Sequence, residues 1–392
     1  MITLTTAQNA LKTVYLDAVS AQLNGNIDPI FNSIKQSSSD VYGRSIIKLV
    51  PYGLNGGVGT GTEDGALPLS HETNYVNFTT TLKNLYGTIE ISDKAIRASA
   101  NDEGAFVNLL TAEIDNLLES SKFNLARMFY GDGTGSLCLI VSISAPARTM
   151  TVDNSAPFMQ GMLLDFYIDG ILDPSMQGVM VTNVDVFNKV ITLDRVSNSF
   201  TNANSSKYKV YIQGSKDREL TGLGALFSNS QTLYGLTRAS YSALMPLSRS
   251  ITSADFNEMT VQKAIDDIEA RSNRQPNVMV TASTLYYSII SDIASYSKNI
   301  DSSILEGGVE SVALSGVPLV RNKFCADNKL MILNTDLFIL HQLCDWEWLN
   351  YNDGSILRQK EGYPTYSATL VKYADLVCNR PNAQGILTVG GA

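Results

Sequence analysis

The stretch whose composition most suggests chemistry is glycine-rich and runs GLNGGVGTGTEDG at 53–65. Such a loop can hold phosphate when it stands between a strand and a helix, because the helix N-terminus then faces the phosphates. Counting from Gly59 and Gly61, the third glycine of that fingerprint falls on Asp64, and no helix is predicted after it. Glu63 and Asp64 would repel phosphate, and the sequence has no Gly-Lys dipeptide for a P-loop. These residues predict a flexible loop tip.

The remaining chemically capable residues also favour structural roles. In the loop GDGTG at 131–135 only Asp132 qualifies as a calcium ligand, whereas an EF-hand loop needs alternating oxygen ligands and a closing Glu. The two histidines, His71 and His341, stand in no GxSxG or HExxH pattern, and His341 lies in an apolar run typical of a packed core or interface. The four cysteines show no CxxC spacing. We expect no catalytic residue, no metal site and no cofactor, so the protein is predicted not to be an enzyme.

Composition and charge exclude several classes of protein. The 392 residues carry a net charge of −9, which argues against a nucleic-acid-binding protein. Four cysteines exclude a disulfide scaffold. No segment approaches the roughly 20 apolar residues of a membrane span, and the N-terminus lacks a secretory pattern, so we expect no membrane contact and synthesis in a reducing cytoplasm. Only 17% of residues are charged, against about 25% in soluble domains. This is typical of a subunit whose neighbours bury much of its exterior.

The first ninety residues predict an arm followed by a long hairpin. Residues 1–42 form an N-terminal arm with helical stretches, including a short helix from Pro29 to Lys35. Over 43–88, one β-like run rises from Ser45 into the glycine-rich tip and a second run returns with alternating apolar residues. Because a lone hairpin is marginal in water, we expect an adjacent copy of the chain to complete its packing. The residues predicted at this inter-subunit contact are Gly56, Gly57, Gly59, Gly61, Val76, Phe78 and Leu82.

The clearest helical pattern spans 102–129, within a unit at 89–135. Asn101 and Asp102 are its candidate N-caps, and Gly131 is predicted to end it as a glycine C-cap. The residues predicted to form its packing face are Phe106, Leu110, Ile114, Leu117, Leu125 and Met128.

A change of periodicity marks an inserted unit. Residues 136–215 alternate with period two and predict about six short strands, as in a small β-barrel or sandwich. Residues after 215 mix the two periods: a helix capped by Thr252 or Ser253, a strand at 277–281, a helix capped by Ser283, and further strands. These further strands are predicted at 314–320, 329–334 and 366–378. Helices packed on a mostly antiparallel sheet predict an α+β fold.

Four local sequences in this order resemble one family. They are TTTLKNLYGTIEISDKAI at 79–96, RMFYGDGTG at 127–135, QGSKDRELTGLGALF at 213–227 and VALSGVPLV at 312–320. Their order resembles that of the tailed-bacteriophage major capsid protein, whose Hong Kong ninety-seven type fold is shared with the encapsulins.

The resemblance implies an architecture and a function. It implies an extended loop at 43–88, a spine helix inside a peripheral domain, an inserted β domain at 136–215, an axial domain at 216–363 and a C-terminal strand at 364–392 that returns to the peripheral domain. It implies a structural protein that assembles as pentamers and hexamers into an icosahedral shell around DNA, located in the virion and assembled in the host cytoplasm. An encapsulin-type shell and another virion or tail protein stay open as alternatives. A nucleotide-using enzyme is the third and least favoured alternative.

Two departures from the family shape the expected partners. In some relatives a covalent bond between a lysine and an asparagine links the loop to a neighbouring subunit. Here 54–66 holds no lysine and only Lys48 and Lys83 flank it, so no such crosslink is expected. No long scaffolding segment precedes the arm, so we expect a separate scaffolding protein, with a portal and a decoration protein as further candidates. The negative charge suits weak, non-specific contact with packaged DNA.

Overall fold

The computed structural model describes residues 28–53, 55–66, 69, 72–94, 103–296, 302–304, 310–349 and 356–390. The side chains of 103–112, 292–296, 302–304 and 310–311 are not described. The helices are α1 (Pro29–Asn32), α2 (Glu103–Tyr130), α3 (Leu223–Leu226), α4 (Glu258–Ser272) and α5 (Ser283–Tyr296). The strands are β1 (Lys35–Ser37), β2 (Val41–Tyr42), β3 (Ser45–Tyr52), β4 (Asn74–Thr81), β5 (Lys83–Ser92), β6 (Ser136–Ser144), β7 (Thr149–Val152), β8 (Leu163–Ile168), β9 (Ile171–Leu172), β10 (Val179–Asp185), β11 (Val190–Leu193), β12 (Tyr208–Ile212), β13 (Thr232–Leu233), β14 (Leu236–Thr237), β15 (Leu247–Ile251), β16 (Val278–Thr281), β17 (Ser302–Ile304), β18 (Glu310–Leu314), β19 (Val317–Arg321), β20 (Lys329–Leu333), β21 (Phe338–Trp348), β22 (Arg358–Gln359), β23 (Thr365–Cys378) and β24 (Gly385–Val389).

The frame of the molecule is α2 packed on a sheet of long strands, which we call the long-strand sheet (β1, β5, β21, β22 and β23). Strand β23 lies at its centre and pairs antiparallel with β5 over ten residues and with β21 on its other edge. The inner face of β5 alternates Leu85, Gly87 and Ile89, and α2 lies against it. A Cβ at Gly87 would come within 2.9 Å of the Leu117 side chain, so the missing side chain lets the helix approach the sheet.

The hairpin projects from this frame. Strands β3 and β4 pair antiparallel from Ser45 opposite Thr81 to Tyr52 opposite Asn74, and β2 adds to the β3 edge. The returning run predicted as one strand is broken at Leu82, whose N–H bonds to the carbonyl of Arg44 at 2.9 Å. Beyond that break, β5 pairs with β23 instead of β3, because its inner residues belong to the core under α2.

The inserted unit has a core of its own, formed by residues such as Met150, Phe166 and Val210. Its strands pair in the order β10-β11-β7-β6-β12-β8-β9, and an additional pairing of β10 with β8 closes a circuit of six strands, so we call this unit the barrel. The unit holds seven strands where about six were expected.

A third unit combines a seven-stranded mixed sheet, in the order β15-β24-β20-β16-β19-β18-β17, with helices α4 and α5. The predicted caps of α4, Thr252 and Ser253, are wrong: Asn257 caps it by accepting the N–H of Thr260 at 2.9 Å. The helix ends at Asn273, which has a left-handed backbone (φ 54°).

Three further expectations are corrected. The short helix ends at Asn32 rather than Lys35. Gly131 follows α2 without the left-handed conformation of a glycine C-cap; Gly133 and Gly135 adopt that conformation instead. The segment predicted to return whole to the peripheral domain is divided, because β23 lies in the long-strand sheet and β24 in the third unit. The arm before residue 28 and the predicted caps Asn101 and Asp102 lie outside the described residues.

Candidate assembly surface

The root of the hairpin is fixed to its own chain through its inward face. The hydrophobic core between α2 and the long-strand sheet is called the main core below. Ile46, Val50 and Phe78 are buried in it, with Phe78 only 2% exposed. The Phe78 ring packs against Tyr234 with centroids 5.3 Å apart, and the N–H of Thr79 bonds to the carbonyl of Tyr234 at 2.9 Å. The hairpin therefore leaves the subunit at a defined position.

A tight turn supplies this anchor. Strands β13 and β14 are joined by Tyr234 and Gly235, both with positive φ (48° and 80°), as a two-residue hairpin turn requires. The Tyr234 hydroxyl accepts the N–H of Cys378 at the end of β23 at 3.1 Å. Burial raises the pKa of Tyr234 well above its ordinary value, so the phenol stays neutral.

A buried carboxylate joins the hairpin to the long-strand sheet and to the segment that leaves the barrel. Asp375, on β23, accepts the hydroxyl of Thr80 at 2.6 Å and the N–H of Thr221 at 2.7 Å. Burial raises the pKa of Asp375. Three separate segments therefore converge on one side chain.

The outward face of the hairpin is apolar and exposed. Ile47, Leu49 and Tyr75 point away from the core, and Leu49 is 59% exposed. At the tip, Val58 is 88% exposed and Leu69 89% exposed. A two-stranded ribbon with apolar residues on both faces is typical of a segment that packs on both sides.

The predicted contact residues divide between these two environments. Gly56, Gly59 and Gly61 are exposed in the tip, and Gly57 is half-exposed. The apolar members of the predicted set lie on the inward side: Val76 and Leu82 are half-buried against the main core, and Phe78 is inside it. The inter-subunit role assigned to the set stays a prediction, and Phe78 can contribute only by positioning the hairpin.

Sequence reasoning missed Ile47, Leu49 and Tyr75. The signal was present in the run SIIKLVPY, where apolar residues occupy consecutive positions. In a strand, consecutive side chains point to opposite faces, so this run places apolar groups on both.

The packing face of α2 supports the frame. Ile114 and Leu125 are fully buried, Met128 is buried and Leu117 is half-buried against the main core. Leu118, which was not predicted, is also buried there. The side chains of Phe106 and Leu110 lie outside the described set.

An ion pair clamps the inserted unit to the end of α2. Arg127 donates through Nη1 and Nη2 to the two carboxylate oxygens of Glu219, at 2.9 and 2.6 Å. Both side chains are almost fully buried, at 7% and 4% exposure. Beside the pair, the N–H of Asp217 bonds to the carbonyl of Thr134 at 2.8 Å, which joins the chain entering the barrel to the chain leaving it. The clamp holds both connections together.

The structure places the histidine that could have carried chemistry inside the core. His341 is fully buried and its Nδ1 lies 2.9 Å from the carbonyl of Ser39. Burial lowers its pKa, which favours the neutral ring. The predicted packed role of His341 is confirmed, and His71 lies outside the described residues. Across the described residues, no three His, Cys, Asp or Glu side chains group as a metal site would require, and no helix is long and apolar enough to cross a membrane.

Comparison with solved structures shows the fold in capsid chains. A chain of the cyanophage A-1(L) capsid asymmetric unit superposes with a TM-score of 0.52 and 11% identity, over 92% of this chain and 91% of that one. A chain from the capsid of a native GTA particle gives a TM-score of 0.48 and 12% identity over 93% and 90% of the two chains. A chain of the SrpI encapsulin from Synechococcus elongatus PCC 7942 gives 0.43 and 9% identity over 93% and 88%. No protein-family model and no curated protein matches the sequence. The predicted α+β fold of a phage capsid subunit is confirmed.

Proposed function

We propose that this chain is the major capsid protein of a tailed bacteriophage, a structural subunit that assembles with identical copies into the shell around the genome. The observation that carries the proposal is the match to a capsid chain over 92% of this chain and 91% of that one. The function is structural rather than enzymatic, and the protein is located in the virion.

The hairpin supplies the assembly contact in this proposal. Its inward face is anchored on its own chain, so its outward face and its tip remain available to an adjacent copy. Burying the exposed parts of Ile47, Leu49 and Tyr75 contributes on the order of 1 kcal/mol each, less the cost of ordering the tip. Each contact is modest, and the shell gains stability because the contacts repeat around five-fold and six-fold rings.

The test is the assembly of purified protein, imaged by negative-stain electron microscopy. Intact chain should form closed shells, and a chain lacking residues 54–64 should form none or fragile ones. The variant Leu49→Ser with Tyr75→Ser should also lose assembly, whereas Tyr363→Ser, which removes an equally exposed tyrosine outside the hairpin, should not. Shells of normal stability from the deletion variant would contradict the assigned role of the hairpin.

The same images separate the alternatives. Tubes would indicate a tail or other virion protein, and shells filled with a co-purifying enzyme would indicate an encapsulin. We further propose a scaffolding protein as an assembly partner, a portal and a decoration protein as neighbours in the particle, and only weak non-specific contact with packaged DNA, in keeping with the net charge of −9.

A further inference from the structure

The tip of the hairpin, residues 55–66, contains two neighbouring residues that can react with one another. Asn55 is followed by Gly56, and both residues are exposed. The sequence holds one other Asn-Gly pair, at 24–25, outside the described residues. In such a pair the backbone nitrogen of the glycine can attack the side-chain amide carbon of the asparagine, because the glycine has no side chain to obstruct the approach.

A hydrogen bond prepares the amide of Asn55 for this attack. The N–H of Gly57 donates to Asn55 Oδ1 at 2.8 Å and closes an Asx turn, which folds the side chain back along the backbone. The bond also draws electron density from the side-chain carbonyl. During the attack negative charge develops on Oδ1, where the same N–H stabilises it as a donor in an oxyanion hole does.

The barrel contains an asparagine with the same hydrogen bond but without the other two features. The N–H of Ala156 donates to Asn154 Oδ1 at 2.9 Å. The residue after Asn154 is Ser155, which carries a side chain and is only 4% exposed. Its nitrogen is therefore obstructed and held in place, whereas that of Gly56 is open. Asn154 is the internal reference for the reactivity of Asn55.

We propose that Asn55 is a site of spontaneous modification in the free subunit and that assembly into the shell protects it. The Gly56 nitrogen bonds to Cγ of Asn55, its proton passes to a base in solution, and the bond from Cγ to the side-chain nitrogen breaks as ammonia leaves. Water then opens the resulting five-membered ring at either carbonyl. The product is a carboxylate, on aspartate or on isoaspartate.

The modification changes both the charge and the backbone of the tip. The charged residues of the tip are Glu63 and Asp64, so the new carboxylate adds a third negative charge with no Lys or Arg to offset it. Isoaspartate also lengthens the main chain by one carbon between residues 55 and 56. Both changes weaken any contact made through the tip, so a subunit that stays unassembled loses its capacity to assemble with time.

Assembly opposes the reaction because the ring closes only when the backbone at 55–56 rotates. In the isolated subunit Val58, three residues further on, is 88% exposed, so rotation of the tip costs little buried area. In the proposed shell the neighbouring subunit covers the tip and fixes its backbone dihedral angles. This inference rests on the proposed shell function and adds an irreversible chemical step to the same hairpin.

Peptide mapping by mass spectrometry tests the modification. Free subunit and assembled shells are incubated together at mildly alkaline pH, in an Asn24→Gln background that removes the second Asn-Gly pair. In the free subunit the peptide containing Asn55 should show the mass change from NH₂ to OH, and hydroxylamine, which cleaves the ring intermediate, should split the chain into 1–55 and 56–392. The peptide containing Asn154 should stay unchanged. In shells Asn55 should convert at least about tenfold more slowly.

Substitutions in the tip test the chemistry. Gly56→Ala should slow the conversion at least about tenfold, which corresponds to about 1.4 kcal/mol of activation free energy. Gly57→Pro, which removes the donor N–H, should slow it by a similar factor, whereas Gly57→Ala keeps the N–H and should stay within about twofold of the unchanged rate. An Asn55 that remains intact in the aged free subunit, or that converts no faster than Asn154, would overturn the proposal.

The subunit concentration needed for assembly, measured by light scattering, tests the consequence. The unchanged protein should need several-fold more subunit after ageing. Asn55→Gln, whose longer side chain would have to close a less favourable six-membered ring, should give the same value fresh and aged. An equal loss on ageing in both proteins would refute the role of Asn55, and thermal unfolding checks that aged subunits still fold.

The two proposals fail in different ways. Equal conversion in shells and in free subunits would refute the protection by assembly and leave the shell function standing. An unchanged protein that forms no shell, fresh or aged, would refute the shell function, while the mapping of Asn55 in the free subunit would still decide whether the residue is modified.

Discussion

The buried pair between Arg127 and Glu219 makes a quantitative prediction possible. Replacing Glu219 by Gln keeps the shape of the side chain but leaves the Arg127 cation buried without a counter-charge. Breaking a buried pair in this way costs about 3–5 kcal/mol, because the remaining charge has lost both water and partner. In a chain of this size the loss lowers the Tm by several degrees.

The surface pair between Lys360 and Glu90 is the internal reference. Its nitrogen and oxygen lie 2.9 Å apart, like those of the buried pair, but both side chains are about half exposed, at 49% and 48%. Exposed pairs contribute about 0–1 kcal/mol, so Glu90→Gln should change the free energy of unfolding by less than that. Because the two pairs have similar N···O distances, the difference between the two variants measures the effect of burial on the free energy of unfolding.

Urea unfolding of the unassembled subunit, followed by tryptophan fluorescence, measures both variants, and limited proteolysis reports whether cleavage begins in the exit segment at 213–222. The double variant Arg127→Met with Glu219→Leu should recover most of the lost stability, since it removes the buried charge altogether. If Glu219→Gln costs no more than Glu90→Gln, or if the apolar double variant is the least stable of all, the reasoning about this clamp is wrong.

Three further outcomes are expected. Gly222→Ala should abolish soluble folded protein in an expression and gel-filtration assay, because its Cβ would lie 2.4 Å from the carbonyl oxygen of Met128, and normal yield would contradict this close approach. The free energy of unfolding should fall as the pH drops below 6.5, the ordinary pKa of histidine, because burial lowers the pKa of His341 in the folded state and the unfolded chain binds the proton first. In urea titrations His341→Gln should show a flatter dependence of the unfolding free energy on pH. An unchanged slope in that variant would contradict the role given to His341. Phe78→Ala should destabilise the isolated subunit by about 3–5 kcal/mol, whereas Leu49→Ala should leave it within about 0.5 kcal/mol and impair only assembly; equal effects on the isolated subunit would mean that the two faces of the hairpin are wrongly assigned.

Local pattern predicted the elements of this fold where one physical requirement dominated. The apolar stripe of α2 reflects a single buried face, and the predicted spans of α2, β3 and β23 lie within one or two residues of the observed ones. The start of α4 was misplaced because Thr252 satisfies a turn of its own, with its hydroxyl 2.6 Å from Asp255, and leaves the helix cap to Asn257.

The pairing of strands that are distant in sequence could not be predicted from local pattern. Nothing in the sequence near β24 distinguishes a strand of the long-strand sheet from one of the third unit, since its apolar residues would suit either. A cleft lined by Lys83, Asn124 and Arg218 could not be predicted either, because three segments distant in sequence bring these residues together. The outward apolar face of the hairpin could have been predicted, since consecutive apolar residues in a strand require two packing surfaces.

The buried polar groups follow a common logic: they connect units that fold around separate cores. Asp28 accepts the hydroxyl of Tyr130 at the end of α2 at 3.2 Å and the side-chain amide of Asn322 in the third unit. Asp375 joins the hairpin to the exit segment, as Arg127 joins α2 to the barrel. Because a buried polar group is costly unless its partners are in place, each connection is directional in a way that apolar contacts are not. The arm, the hairpin and the barrel are thus fixed at their roots, and in the proposed shell any difference between subunit positions should arise at the hairpin tip rather than where these units leave the frame.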